Sequence, residues 1–279
     1  MSGVSTGTEL HRWPARDVQE PNAARGAWFW ASSALLFVAS AAITIVWCGS
    51  MTAMGMPMPG GWTMSMSWMR MAGQTWPGAA ASFLGMWVVM MIAMMLPSVV
   101  PMLWRYRQAV ARTGRSRLAS LTVSAGLGYF FVWALFGVIV YPLGVALAVL
   151  EMQRPALARA VPVAVGVVVF AAGCVQLTPW KAHHLRCCRE SPACGALSVA
   201  SASPWGYGVR IGGQCCACCA GLMAILLVTG SMDLRAMALV AAAVTLERLA
   251  PAGERVARGI GLVAVGVGLF QIARAAGLG

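Results

Sequence analysis

From residue 27 onward the sequence is a succession of long apolar runs separated by short polar connections. Runs of this kind match the ~20 residues a helix needs to cross a hydrocarbon core of ~30 Å. Composition agrees: 59% of residues are hydrophobic and only 10% are charged, against about 25% charged in soluble domains. A water-soluble enzyme is excluded on that ground. The expected fold is all-α, a polytopic transmembrane helix bundle. The formal net charge of +12 comes from 20 Lys and Arg against 8 Asp and Glu. In a soluble protein that excess would suggest a nucleic-acid partner. Here the basic residues fall between apolar runs, where they orient helices in the bilayer, so the expected partners are lipid and no nucleic acid.

Residues 1–26 are polar and read as a tail, and residues 27–279 as a single membrane domain. Spans are expected at Ala27–Cys48, Ala79–Trp104, a stretch beginning at Leu118 and running to Leu150, Ala160–Leu177, Cys215–Met232, a short one at Leu234–Ala250, and Val256–Ile272. With the stretch from Leu118 as one tilted or kinked crossing, alternate connections hold 15 and 5 basic residues; as two crossings the division falls to 12 and 8. The positive-inside rule therefore favours about seven spans, with the N-terminus cytoplasmic and the C-terminus outside. The expected location is a bacterial inner (plasma) membrane.

Sulfur is concentrated in two places. Of 19 Met, fourteen lie between Met51 and Met102, and of 9 Cys, eight lie between Cys174 and Cys219. The loop after the first span carries Met51, Met54, Met56, Met58, Met64, Met66, Met69 and Met71. Thioethers are neutral, soft ligands that suit Cu(I) and Ag(I) and bind Zn(II) or Mg(II) poorly. In an extended chain, alternate methionines such as Met56 and Met58 face one side. The competing role is packing against Trp62, Trp68 and Trp76 near the lipid interface. In the second span Met86, Met90 and Met94 form one helical stripe, with Met91, Met95 and Met102 beside it. Such a ladder either connects the two membrane faces or simply fills the core. Pro97 is expected to kink this span.

The second concentration holds Lys181-Ala182-His183-His184-Leu185-Arg186-Cys187-Cys188-Arg189 and Gln214-Cys215-Cys216-Ala217-Cys218-Cys219. On a helix, Cys215, Cys218 and Cys219 share a face. Placed at the start of the fifth span they would sit at a helix N-terminus, whose partial positive charge favours thiolate, with Arg186, Arg189 and Arg210 acting in the same sense. Cys188, Cys215, Cys218, Cys219, His184, Cys187, Met94 and Met95 are the candidate metal ligands. His183 and Cys216 are candidate auxiliaries. Zinc is the alternative metal, relying on His184 with Cys188, Cys215 and Cys218. Glu247 and Gln176 lie near span ends; intramembrane carboxylates are costly and are paired or functional. Glu247 could pair with Arg248 of a neighbour or with a loop arginine.

The stretches Ala93-Met94-Met95-Leu96-Pro97-Ser98, Gln176-Leu177-Thr178-Pro179-Trp180-Lys181, Cys188-Arg189-Glu190-Ser191-Pro192, Cys215-Cys216-Ala217-Cys218-Cys219, Met232 with Met237, and Glu247-Arg248-Leu249-Ala250-Pro251 carry a family resemblance. Over roughly residues 80–252 the chain resembles a family of predicted metal-binding integral membrane proteins, domain of unknown function 2182. A membrane copper chaperone of a bacterial tyrosinase system is among its relatives. The family's Cys-x-x-Cys-Cys pattern fits Cys215, Cys218 and Cys219. It carries a cysteine where this chain has His184, and Cys187 and Cys216 are additional here. What the resemblance implies is metal binding.

The expected function is therefore handling of Cu(I), as a copper chaperone or copper transfer protein serving a copper-receiving partner, and not catalysis. The Gly-x-x-x-x-Gly-Lys-Ser/Thr phosphate-binding loop is absent from the sequence, so any transport is not driven by nucleotide hydrolysis in this chain. The competing classes are a membrane thiol–disulfide protein using Cys215/Cys218 or Cys187/Cys188, and a structural subunit in which the sulfurs only pack.

Overall fold

The structure is a computed structural model that describes residues 20–52, 55–59, 61–65, 68–70, 73–112, 117–189, 203–230 and 232–277. Its elements are α1 (Glu20–Thr52), β1 (Met56–Met58), β2 (Trp62–Met64), α2 (Trp76–Ala111), α3 (Leu118–Gln153), α4 (Pro155–Gln176), α5 (Pro179–Arg189), α6 (Pro204–Gly230), α7 (Leu234–Leu249) and α8 (Gly253–Ala275). Two compact units divide the chain, residues 1–36 and residues 37–279. In the first unit the described part is the opening half of α1, which begins at Glu20 inside the expected polar tail; residues 1–19 of that tail lie outside the described residues.

Among the described residues, six helices are long and apolar enough to cross a membrane: α1, α2, α3, α4, α6 and α8. The chain is a multi-pass membrane protein. The expected short span at Leu234–Ala250 differs from this set. It forms α7, whose 16 residues make about 24 Å, short of a ~30 Å core. Its last turn holds Glu247 and Arg248, both buried, and Pro251 follows. The long stretch from Leu118 is one continuous helix that absorbs Pro142, as the charge balance favoured. Prolines open α4, α5 and α6, where a missing N–H costs nothing. Thr75 caps α2 through Gly78 N at 3.3 Å, and Asp233 caps α7 through Arg235 N at 2.8 Å.

The bundle of the second unit is held by close backbone approaches. Between α4 and α8 a Cβ on Gly173 would meet Val265 N at 2.6 Å and Gly261 O at 2.9 Å. Gly166 faces Gly268 and Ile272 in the same way, so the two helices run antiparallel. Between α3 and α6, Gly208 lies on the backbone of Ala125, and Gly212 on Tyr129 O at 2.9 Å; this pair runs parallel. Small residues that let backbones touch are the usual glue of membrane helices, since lipid tails remove the hydrophobic drive between them.

Polarity is inverted relative to a soluble domain. Leu127, Val138, Leu262, Val263 and Phe270 are exposed, whereas Lys181, Glu247, Arg248, Gln176 and the α2 methionines are buried. Trp87 Nε1 donates to Trp133 O at 2.9 Å and fixes α2 on α3. Cys48 Sγ donates to Met232 Sδ at 3.8 Å, both buried, which ties the end of α1 to the α6–α7 turn.

Gly208→Ala places a methyl against the carbonyl of Ala125 and should destabilise the bundle by about 1–3 kcal/mol. Gly213→Ala, on the same helix with nothing within 4 Å of its Cβ, should be neutral or slightly stabilising. Denaturant unfolding of the two variants in matched detergent checks the contrast.

Candidate metal centre

α6 starts at Pro204, so Cys215 lies well inside the helix, about 16 Å from its beginning. This corrects the expectation of a helix N-terminus at the cysteines: the helix dipole acts only within the first turn and does not reach them. Residues 204–214 are helical because Gly208 and Gly212 seat that segment on α3. The predicted i, i+3 and i+4 face is present: Cys215, Cys218 and Cys219 are all buried.

A fourth sulfur comes from α5. Cys188 is buried and interacts electrostatically with Cys218, as does Cys219. Cys215 and Cys219 are 3.9 Å apart, one helical turn on the same face. The four cysteines thus interact in series, Cys188 with Cys218, Cys218 with Cys219, and Cys219 in direct contact with Cys215. The interaction with Cys218 and then burial hold the Cys188 thiol well above its ordinary range. Among the described residues, no group of three or more His, Cys, Asp or Glu side chains is already arranged to hold a metal ion.

Two cations flank the chain of sulfurs. Arg248 of α7 is buried; its Nη1 donates to Cys215 Sγ at 3.2 Å and to Ser98 Oγ at 3.1 Å, and its Nη2 to Met102 Sδ at 2.8 Å. Tyr129 Oη of α3 donates to the same Cys215 sulfur at 3.1 Å. Cys215 therefore faces two donors, one of them cationic, an arrangement that suits a sulfur bearing negative charge. On the other side, Lys181 Nζ donates to Glu247 Oε2 at 2.6 Å and to Cys218 O at 2.7 Å, while Gln176 Nε2 donates to Glu247 Oε1 at 2.6 Å. Burial alone would push the Lys181 ammonium down, but the Cys218 sulfur and the Glu247 carboxylate outweigh it, and the net shift is upward.

Glu247 and Gln176 are thus brought together, and Glu247 is paired within the chain by Lys181, not by Arg248 or a loop arginine. Lys181, Arg248, Tyr129, Ser98 and Met102 complete the surroundings; the sequence places Met102 in the methionine stripe and Lys181, Ser98 and Arg248 in the quoted motif stretches, and it misses Tyr129. Arg186 pairs with Glu254 at 2.8 Å, and Arg189 bonds Glu247 O and Pro251 O; the cation at Cys215 is Arg248 instead.

The remaining candidates lie elsewhere. The His184 ring packs edge-on to Trp180, 4.5 Å between centroids. His183 is exposed, its Nε2 3.7 Å from Cys187 Sγ. Cys187 is disulfide-bonded, so its sulfur is not a thiolate donor as it stands. Cys216 is half-buried, one position off the cysteine face. Met94 and Met95 are buried on α2, where Met95 O accepts from Ser98 Oγ at 2.9 Å, one residue removed from Arg248. Of the loop methionines, Met54, Met66 and Met71 lie outside the described residues.

The profile of a family described as copper chaperone, PpoB2, matches residues 84–271, which include every residue of this centre. The chain belongs to the PpoB2 family. No curated protein and no solved structure is significantly similar to it. The PpoB2 match starts within α2 and ends within α8, so α1 and the β1–β2 ribbon are outside it.

Lys181→Met would leave Glu247 buried without its cation. The expected cost is about 3–5 kcal/mol, with most of it recovered in Lys181→Met/Glu247→Gln. Unfolding of the single and double variants in detergent measures the difference.

Proposed function

We propose that this PpoB2 protein is a membrane-embedded carrier of Cu(I), with Cys188, Cys215, Cys218 and Cys219 as its donors. The observation that carries the reading is the meeting of four cysteines from α5 and α6 beside a buried guanidinium. Thiolates are the metal-binding form of cysteine, and they prefer soft ions such as Cu(I). Three buried charges surround them, Lys181, Arg248 and Glu247, leaving one positive charge in excess. That excess offsets the negative charge that thiolate ligation brings into an apolar bundle.

An arriving ion displaces thiol protons, first from sulfurs already accepting hydrogen bonds. A chain of neighbouring sulfurs allows it to move by exchanging one donor at a time. Met102, held by Arg248, and the Met94 and Met95 turns of α2 offer weaker neutral donors along the same helix. The role is binding and transfer to a copper-receiving protein. With the N-terminus on the cytoplasmic side of a plasma membrane, the centre lies toward that face.

The zinc alternative needs His184 as fourth ligand, and that ring is engaged with Trp180. The redox alternative has the Cys187 disulfide in its favour. Cys187 is next to Cys188, however, and adjacent helical residues do not share a face.

The reduced full-length protein in lipid nanodiscs should bind Cu(I) at a site lost in Cys215→Ser/Cys218→Ser/Cys219→Ser. Affinity should fall as pH is lowered from about 7 to about 5, because ligation releases thiol protons. Competition with a chromophoric Cu(I) chelator and metal analysis supply both readouts. Stoichiometric zinc in the purified protein, or copper retained in the triple variant, would overturn the proposal.

A further inference from the structure

We infer that the β1–β2 ribbon is a second soft-metal site, in which Met56, Met58 and Met64 supply thioethers and Trp62 an aromatic wall. The antiparallel register pairs Met56 with Met64 and Met58 with Trp62, while Pro57 pairs with Thr63. Alternate residues of a strand face opposite sides, and directly paired residues face the same side. Met56, Met58, Trp62 and Met64 therefore share one face of the ribbon, and Pro57 and Thr63 the other. Burial follows this division at three of the four positions: Met64 is 3% exposed and Met58 and Trp62 are half-buried, whereas Met56 is exposed, as are Pro57 and Thr63.

The ribbon is fastened in place. Trp62 Nε1 donates to Ala158 O, 2.9 Å away in the first turn of α4. The sulfur-bearing face is thus turned toward the bundle, with Met64 sunk and Met56, at 38% exposed, left open to an arriving ion. Paired Cβ atoms lie about 4.5–5.5 Å apart, and the three rotatable bonds of methionine let such sulfurs converge. The face of an indole attracts a cation. Packing alone does not account for the choice of residues. Strands favour β-branched and aromatic side chains, yet three of the four inward positions are methionine.

The donors are neutral and soft, so the ligand class is a monovalent soft cation, Cu(I) or Ag(I). The site deepens the copper reading by giving the ion a point of capture outside the cysteine centre, and it lies outside the region matched by PpoB2.

Ag(I), which is redox-silent, is the probe. Full-length protein in nanodiscs is titrated alongside Met56→Leu/Met58→Leu/Met64→Leu and Cys215→Ser/Cys218→Ser/Cys219→Ser. Met to Leu nearly conserves volume, and size-exclusion elution verifies the fold. The methionine variant should lose one Ag(I) equivalent and keep the cysteine-dependent one. The cysteine variant should keep the ribbon equivalent, with affinity unchanged between about pH 7 and about pH 5, because a thioether has no proton to release. Full Ag(I) binding in the methionine variant, or loss only when Met51, Met54, Met66, Met69 and Met71 are changed as well, would overturn the assignment. Ag(I) binding unaffected by the cysteine changes would instead overturn the copper reading of the cysteine centre and leave the ribbon site standing.

Discussion

Burying Lys181, Glu247 and Arg248 inside an apolar bundle is the constraint on which the rest of the arrangement depends. Each such charge is costly unless paired and hydrogen-bonded. Glu247 meets that requirement through Lys181 and Gln176, which join α7 to α5 and α4. Arg248 meets it only in part: Ser98, Met102 and Cys215 accept from its two Nη groups and join α7 to α2 and α6, but among the described residues it has no carboxylate partner and its Nε is left without an acceptor. The shortness of α7 follows from the same interactions. A helix whose last turn anchors five partners has no reason to continue, and Pro251 prevents it from doing so.

The same network decides where the cysteines stand. Lys181 Nζ reaches the Cys218 carbonyl, and α5 is thereby laid against the middle of α6. That contact brings Cys188, on a helix of only 11 residues, into a set of sulfurs supplied otherwise by α6. The glycine contacts of α3 with α6 hold Tyr129 over Cys215.

Much of this was legible in the amino-acid sequence, and what was not has identifiable causes. The apolar runs announce the long helices, and the spacing of Cys215, Cys218 and Cys219 announces their shared face. The start of α6 was placed too late because Trp205, Tyr207 and Arg210 break the apolar pattern. That segment is helical through backbone contact with α3, a tertiary effect that hydropathy does not register. Lys181 and Arg248 were counted among loop cations in the charge balance, although both are buried at the centre. A positive charge is read as a topological marker only when it faces water, and sequence spacing carries no sign of the partners at Glu247 and Cys215. His184 lies close to two cysteines in sequence, but Trp180, one turn earlier on α5, takes up its ring.

The electrostatic balance of the centre also bears on which metal it suits. Lys181, Arg248 and Glu247 leave a formal surplus of one positive charge. Two thiolates around a monovalent ion cancel that surplus, and the whole centre becomes neutral, the least costly state in a low-dielectric interior. A divalent ion with the same two thiolates leaves a net positive charge. Four thiolates around it leave a net negative one. Three thiolates restore neutrality, but a tetrahedral ion then lacks its fourth ligand, the one His184 would have to supply from its contact with Trp180. If the four cysteines hold a metal as proposed, this charge and donor set suits an ion of low charge and low coordination number. On the proposed copper reading, the Lys181–Glu247 pair and Arg248 would discriminate against zinc as much as the sulfurs do.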